Sequence, residues 1–311
     1  MAIDYAGPYG GYAGSGERRH EREYQPHPYV RPSRPYTADR RGYPLRLAKI
    51  LCMVLLLADL GADVYFVFLR WNNPPATAYM LENGVHDYDY VAIAHVSPAM
   101  IGVTVAHEDA ELPTRFTGLD WGQFIDRAQA YSDGVEDPYG SPIPEQLAKN
   151  LLLYPGQNWV RKGADAVLAE QLAHILPKQR ILEIYLNVAQ FGPKLYGICD
   201  ASWYYFEKPP EQLTLAESTE LMGVLPGPIH AHRNPHGLGV DTNPKTVDGL
   251  YERGKINGAR RYVRRELDGG GGAAAIARAV NAGGADSSDT DIGSTCTRKP
   301  DVVRSLLADT N

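Results

Sequence analysis

Pro177-Lys178-Gln179-Arg180-Ile181-Leu182-Glu183-Ile184-Tyr185-Leu186-Asn187-Val188-Ala189-Gln190-Phe191-Gly192 is the stretch on which the fold turns. Ile181, Leu182, Tyr185 and Leu186 fall on one face at helical spacing, so Lys178 to Val188 reads as a helix with a buried stripe. Working outward, further helical windows lie at Asp120 to Tyr131, Pro144 to Leu153, Val160 to Leu176, Tyr196 to Phe206, Thr214 to Leu225 and Lys245 to Glu266. Ser97-Pro98 opens another, with Pro at a first-turn position and an apolar face of Met100, Ile101, Val103, Val105 and Ala106 that ends near His107-Glu108-Asp109. Thr214-Leu215-Ala216-Glu217 is a capping box, and Pro226-Gly227-Pro228 stops the helix it starts. No window of alternating β-branched residues is long enough to build a sheet. The spacing predicts a mainly α fold without internal repeats.

Composition sets the limits of that fold within the 311 residues. Residues 1–44 are rich in Tyr, Pro, Gly and Arg and nearly devoid of Leu, Ile and Val, too little apolar surface to offset ordering entropy, so a disordered tail is expected. From Asp268 onward a Gly run followed by Ala, Gly, Ser and Asp reads as a low-complexity tail over 268–311. Residues 71–267 amount to one domain. A net charge of -6 and the lack of a basic stripe in that domain argue against a nucleic-acid partner. Cys52, Cys199 and Cys296 show no metal or redox spacing, and an odd number makes no disulfide framework; a Cys199 to Cys296 bridge stays open.

Residues 45–70 have the length of one membrane span. Asp59 and Asp63 oppose this, since a carboxylate near the middle of a spanning helix costs roughly 2.5 to 3.5 kcal/mol, and a buried or interfacial helix is the competing reading. Arg31, Arg34, Arg40, Arg41, Arg46 and Lys49 precede the segment and Arg70-Trp71 follow it, which favours a retained anchor with a cytoplasmic N-terminus. Either Asp is then expected to face a partner helix. Asn72 to Met80 reads as an extended linker.

The polar residues form an ordered series: the acidic pair Glu108-Asp109, a turn at Gly140-Ser141 entering a helix with Gln146, Lys149 and Asn150, the cationic pair Arg161-Lys162, and then the helix quoted above. Singly, each reads as a solvated turn or helix face. In this order and spacing, from about Trp71 to about Leu267, the chain resembles the monofunctional biosynthetic peptidoglycan transglycosylases (glycosyltransferase family fifty-one), which polymerise lipid II into glycan strands. Glu108-Asp109 matches the start of E-D-x-x-F, and Gly140 to Asn150 matches G-[GA]-S-T-I-[TS]-Q-Q-x-x-K-N at Gly140, Ser141, Ile143, Gln146, Lys149 and Asn150. Arg161 to Asp165 matches R-K-x-x-E with Asp for Glu. The quoted helix with Tyr196-Gly197, Tyr205 to Pro209, Leu225-Pro226, Asn234-Pro235 and the basic Arg260, Arg261 and Arg264 completes the resemblance.

The resemblance implies a lysozyme-like glycosyltransferase domain with a small membrane-facing lobe behind one transmembrane helix. It implies Glu108 as general base and Asp165 as second catalytic carboxylate, with Asp109, Ser141, Gln146, Lys149, Asn150, Arg161 and Lys162 binding substrate. Glycosyl transfer from a pyrophosphate-linked donor needs such a base and such cations. It further implies lipid II and a nascent glycan strand as partners, cell-division or cell-wall synthesis proteins beside them, a divalent cation (Mg or Mn) at the donor pyrophosphate, and a bacterial cytoplasmic membrane with the catalytic domain outside. The triplet His230, His232 and His236 lies in a Pro-rich loop without Cys or acidic neighbours and is not read as a zinc site.

Departures from the pattern carry their own expectations. Leu112 replaces an aromatic, and Arg115 to Asp120 holds one extra residue, which reshapes the loop beside the base. Pro142, Pro144 and Glu145 replace two hydroxyls and an amide, and Glu145 adds negative charge near an anionic leaving group. Asp165 is a methylene short, and a setback of about 1 Å can cost about a hundredfold. Cys199 and Glu207 stand where Glu and Gly are usual. A second reading is therefore a catalytically decayed lipid II-binding or cell-wall-complex scaffold, and a third a glycan-cleaving hydrolase; Arg161-Lys162 and the anchor favour a lipid-linked substrate. The low-complexity end leaves no room for a transpeptidase domain.

Overall fold

The computed structural model describes residues 42–135, 140–153, 159–282 and 296–308. The expected disordered tail thus lies, up to residue 41, outside the described residues. The chain divides into two compact units, one ending at Cys52 and one running from Met53. In the first, the described residues are the opening turns of helix α1 (Gly42–Phe68), whose Leu45, Leu47, Ile50 and Leu51 are exposed. An exposed apolar helix surface of this kind suits lipid rather than water.

The second unit is helical, as the apolar periodicity predicts. Its elements are the rest of α1, then α2 (Ala78–Glu82), α3 (Pro98–Glu108), α4 (Trp121–Ser132), α5 (Ile143–Leu152), α6 (Trp159–Ile175) and α7 (Lys178–Val188). A hairpin of β1 (Gln190–Gly192) and β2 (Leu195–Tyr196) leads into α8 (Ile198–Phe206), α9 (Leu215–Val224), α10 (Val247–Gly269), α11 (Ala273–Ala279) and α12 (Asp301–Ala308). The hairpin explains why α8 begins two residues later than its periodicity suggests: Tyr196 is in β2, and Gly197 turns the chain at φ +83°.

Helix α3 is the centre of the unit. Met100 through Ala106 are all buried, and α9, α10 and α11 pack around it. Gly102 makes the last of these contacts possible, because a Cβ there would lie 2.3 Å from the carbonyl oxygen of Ala273. The quoted helix, α7, acts as scaffold. Asn187 is fully buried and exchanges two hydrogen bonds of 2.8 Å with the backbone of Val91, while Glu183 accepts from Tyr90 at 2.8 Å and from the Ile93 N–H at 2.9 Å. Two polar side chains of α7 thereby fix the extended segment that leads into α3.

Three features differ from the composition-based expectations. Linker residues 78–80 belong to α2, capped by Thr77, with Met80 fully buried. The end of α1 belongs to the globular core: Phe66 and the following Leu69 are 0% exposed, and Asp59 accepts a 2.6 Å hydrogen bond from Gln171 of α6. One intramembrane-looking carboxylate is thus answered by a helix of the same chain. The segment after 267 read as low complexity contains α11, which buries Ile276 and Ala277 against the core, and α12, which packs on α8. A disulfide joins Cys199 of α8 to Cys296, 97 residues later, and accounts for the Cys where Glu is usual.

Candidate active site

The apolar run of α3 is anchored on all sides, so its polar last turn emerges at a fixed point. There Glu108 is 11% exposed, and its Oε2 accepts a 2.8 Å hydrogen bond from Gln146 Nε2 on α5. Its Oε1 lies 2.7 Å from His107 Nδ1. Gln146 also donates to the Ser141 carbonyl at 2.7 Å and accepts from the Tyr185 hydroxyl of α7 at 3.2 Å. Complete burial, then the charge and hydrogen bond of Glu108, hold the Tyr185 hydroxyl well above its usual titration range, so it remains a proton donor. Gln146, Lys149, Asn150 and Tyr185 line a cleft of about 170 Å³ together with Tyr79 and Tyr196.

Asp109 is taken up inside the protein. Arg115 grips it with both guanidinium nitrogens, at 2.7 and 2.6 Å, and the N–H of Ile143 donates to Oδ2 at 3.1 Å. Its geometry is that of a clamp between the loop after Glu108 and the start of α5, where a carboxylate satisfies an otherwise unpaired helix N–H and meets the positive end of the dipole. The 115–120 loop is held in turn at Gly118, where a Cβ would meet the Ala169 carbonyl oxygen at 2.1 Å. Pro142 is the N-cap of α5 and Pro144 its second helical residue. Neither position has an intrahelical N–H partner to lose, so the prolines open the helix without breaking it.

The charged half of the site is built on the same helix. Glu145 is 2% exposed; its Oε2 accepts from Arg127 Nη2 of α4 at 2.6 Å, and its Oε1 from Lys162 Nζ at 2.9 Å and Ser141 Oγ at 3.1 Å. Burial pushes its carboxyl up, but Arg127 and then Lys162 outweigh that and hold it below the usual value. The expected negative charge is therefore compensated. Asp165, 2% exposed on α6, has an Oδ1 without a hydrogen-bond partner among the described residues. Burial raises its carboxyl above the usual value against the pull of Arg161, Lys162 and Lys149. Burial likewise lowers the Lys149 ammonium, with Asp165 pulling the other way.

The structure thus brings together Gln146, Lys149 and Asn150 along the cleft with Glu108 bonded to Gln146, and Ser141, Lys162, Arg161 and Asp165 around Glu145 and Lys149. His107 and Arg127 were not singled out from sequence. A buried Glu145 requires a cation, and that charge balance was the one signal pointing to Arg127. His230 pairs with Asp248 at 2.9 Å, and among the described residues no group of three His, Cys, Asp or Glu side chains converges as a metal site.

A family model described as Transglycosylase matches residues 77–246. The chain is 42% identical over 173 residues to the biosynthetic peptidoglycan transglycosylase of Shewanella frigidimarina, covering 54% of this chain and 74% of the relative. It is 36% identical over 197 residues to the protein of that name from Mannheimia succiniciproducens, covering 59% and 80%. With the one from Rhizobium etli it shares 31% identity over 233 residues, 73% of this chain and 97% of the relative.

Proposed function

The chain belongs to the transglycosylase family as a peptidoglycan glycosyltransferase of cell-wall biosynthesis, and from that premise we propose that it polymerises lipid II with Glu108 as the general base. The observation that carries this reading is the carboxylate fixed by Gln146 at 2.8 Å beside a cleft lined by Lys149. In the reaction the acceptor hydroxyl attacks the donor's anomeric carbon while Glu108 takes its proton. The anomeric C–O bond to undecaprenyl pyrophosphate breaks, and the electron pair leaves with the pyrophosphate. Arg161 as a planar fork, and Lys149 and Lys162 as point charges, meet the negative charge that grows there. Asn150 of α5 lines the cleft, Ser141 just before that helix donates to Glu145, and Asp109 acts through the clamp on the helix start.

Asp165 offers one buried carboxylate oxygen with no hydrogen-bond partner among the described residues, beside these cations. That is a donor of the kind Mg²⁺ or Mn²⁺ takes alongside substrate phosphates, where the ion would supply neutralising charge to the leaving group. Of the four departures behind the decayed-scaffold reading, Pro142 and Pro144 suit the start of α5 and Glu145 is matched by cations, which leaves the shorter Asp165 as the one that favours it.

The protein is membrane-anchored, with Pro44–Phe68 long and apolar enough to cross a bilayer. We place its N-terminus in the cytoplasm and its catalytic domain outside the bacterial cytoplasmic membrane, where cell-division or cell-wall synthesis proteins would meet it. Two features support this orientation: the Arg residues that precede α1, with Arg46 and Lys49 in its opening turns, and the Cys199–Cys296 disulfide, which an oxidising compartment preserves. Full-length protein in detergent is expected to convert lipid II into glycan polymer and to leave soluble glycan intact. Turnover of soluble glycan without polymer would establish the hydrolase instead.

A further inference from the structure

Both oxygens of the Glu108 carboxylate are engaged, by neighbours of different kinds. Oε2 accepts from the Gln146 amide at 2.8 Å, a donor that does not titrate. Oε1 lies 2.7 Å from Nδ1 of His107, the residue before it on the last turn of α3. Successive residues of a helix do not ordinarily face one another, so sequence adjacency alone does not account for this contact. An ionised carboxylate offers only lone pairs; the imidazole is therefore the donor, with a proton on Nδ1. The His107 and Glu108 side chains are 14% and 11% exposed, enclosed enough for a charge on one to be felt by the other. Tyr262 of α10 meets the imidazole at 87°, with ring centroids 6.3 Å apart, and steadies it from the other side. Nε2 makes no hydrogen bond to a described residue, so it is the position at which the ring gains a second proton.

The other titratable groups on the elements around this pair are engaged elsewhere. Asp109 is gripped by Arg115, and Tyr185 of α7 donates to Gln146 and keeps its proton. On α5, Glu145 is bonded to Arg127 and Lys162, and Lys149 interacts with Asp165. On α10, burial raises the Tyr262 hydroxyl, and Arg265, stacked on its ring, pairs with Glu266. On α9, Glu217 takes Lys208 and Glu220 takes the Val240 N–H, while Arg278 of α11 is exposed. Among the described residues His107 bonds to Glu108 alone.

We propose that His107 is a positioning residue for the general base: as a neutral imidazole it donates Nδ1–H to Glu108 and holds the carboxylate anionic and aimed, and on gaining a proton at Nε2 it turns the base down. The inference rests on the reading of Glu108 as the base of a glycosyl transfer. In that step the acceptor's proton passes to Glu108, and the Nδ1–H stays on the ring. A second proton on the ring places a full positive charge beside the carboxylate, which then attracts the acceptor's proton less strongly and is a slower base. His107 thereby gives the site a pH response that the Gln146 amide cannot supply. A packing role against Tyr262 would carry no such response.

The test is the pH profile of kcat and KM for lipid II polymerisation by the full-length protein in detergent. Wild type is compared with His107→Phe, which keeps a ring against Tyr262 but has no donor, and with His107→Asn, which keeps an N–H donor that does not titrate; thermal denaturation checks the folding of each. Wild-type kcat is expected to fall on the order of tenfold between about pH 8 and pH 5.5. His107→Phe is expected to lower kcat at pH 8 about tenfold with KM unchanged, the loss of one hydrogen bond to a charged group. His107→Asn is expected to lie between the two at pH 8 and to lose less than about threefold of its own kcat over the same interval. An acid-side fall of the same size in wild type and His107→Asn, a wild-type kcat that does not fall, or a His107→Phe variant altered in KM alone would overturn the proposal. If His107→Phe does not fold, the acid side of His107→Asn decides, and His107→Gln stands in should His107→Asn fail. Polymer from the wild type with an unmoved acid side would sink this inference alone. No polymer from the wild type at any pH would sink the transferase reading, and this inference with it.

Discussion

Gln146 is the residue through which Glu108 is aimed, since one amide meets the Glu108 carboxylate, the Ser141 carbonyl and Tyr185 at once. Gln146→Ala is therefore expected to lower kcat by roughly ten- to a hundredfold, in line with the loss of an oriented catalytic contact, with lipid II binding retained; steady-state kinetics at several lipid II concentrations would check it. Asp200 of α8 gives a prediction about stability. Burial, then the charge of Asp89, raises its carboxyl to about 8, and its Oδ1 has no partner among the described residues. Below about pH 4 both folded and unfolded forms hold the proton. Between about pH 4 and pH 8 the unfolded chain releases it while the folded chain keeps it, so this group's contribution to stability falls as pH rises and levels off above pH 8. Asp200→Asn should raise the urea midpoint at pH 8, by the equivalent of a few kcal/mol (order of magnitude), and should gain little at pH 4. Glu108 and Gln146 were legible in the sequence because they fall at fixed places in a local motif. Arg127 was not, because its partner lies 18 residues away and an Arg in an amphipathic window ordinarily reads as solvated.

At the scale of elements, α5 shows how a departure from a motif can be absorbed: its prolines occupy the two positions where a missing N–H costs least, and Asp109 supplies the acceptor for the N–H between them. The helices from α3 to α10 were legible because apolar residues recur at helical spacing over whole turns. Helix α11 was not, because an Ala-rich segment after a Gly run has no stripe of its own; Ile276, Ala277 and the bare backbone of Gly102 decide its packing. The disulfide was open in the sequence and no more, since a pair of cysteines 97 residues apart has no spacing that decides it. Closing a loop of that length removes roughly 4 to 5 kcal/mol of chain entropy from the unfolded state. Replacing both Cys199 and Cys296 by Ala is expected to lower Tm by about 10 °C, read by scanning calorimetry. An unchanged Tm would show that α12 and its neighbours are held by packing alone.

For the whole molecule, the anchor and the catalytic unit must lie on defined sides of a bilayer. Protease added outside intact spheroplasts is expected to digest the chain beyond residue 71 and to spare residues 1–44; digestion of the tail alone would reverse the orientation. The broad architecture, a mainly α domain behind one apolar helix, was legible because both features are written in continuous periodicity and length. The point where α1 leaves the bilayer and joins the core was not, because Phe66 and Leu69 are as apolar as the residues facing lipid. The claim on which all of this converges is that a carboxylate at the end of α3 drives glycan polymerisation despite the altered motif beside it. The most direct measurement is lipid II polymerisation by the wild-type protein and Glu108→Gln side by side. Polymer from the wild type and a loss of about a hundred- to ten-thousandfold in the variant are predicted. Equal turnover by both, or lipid II binding without polymer in the wild type, would contradict the account.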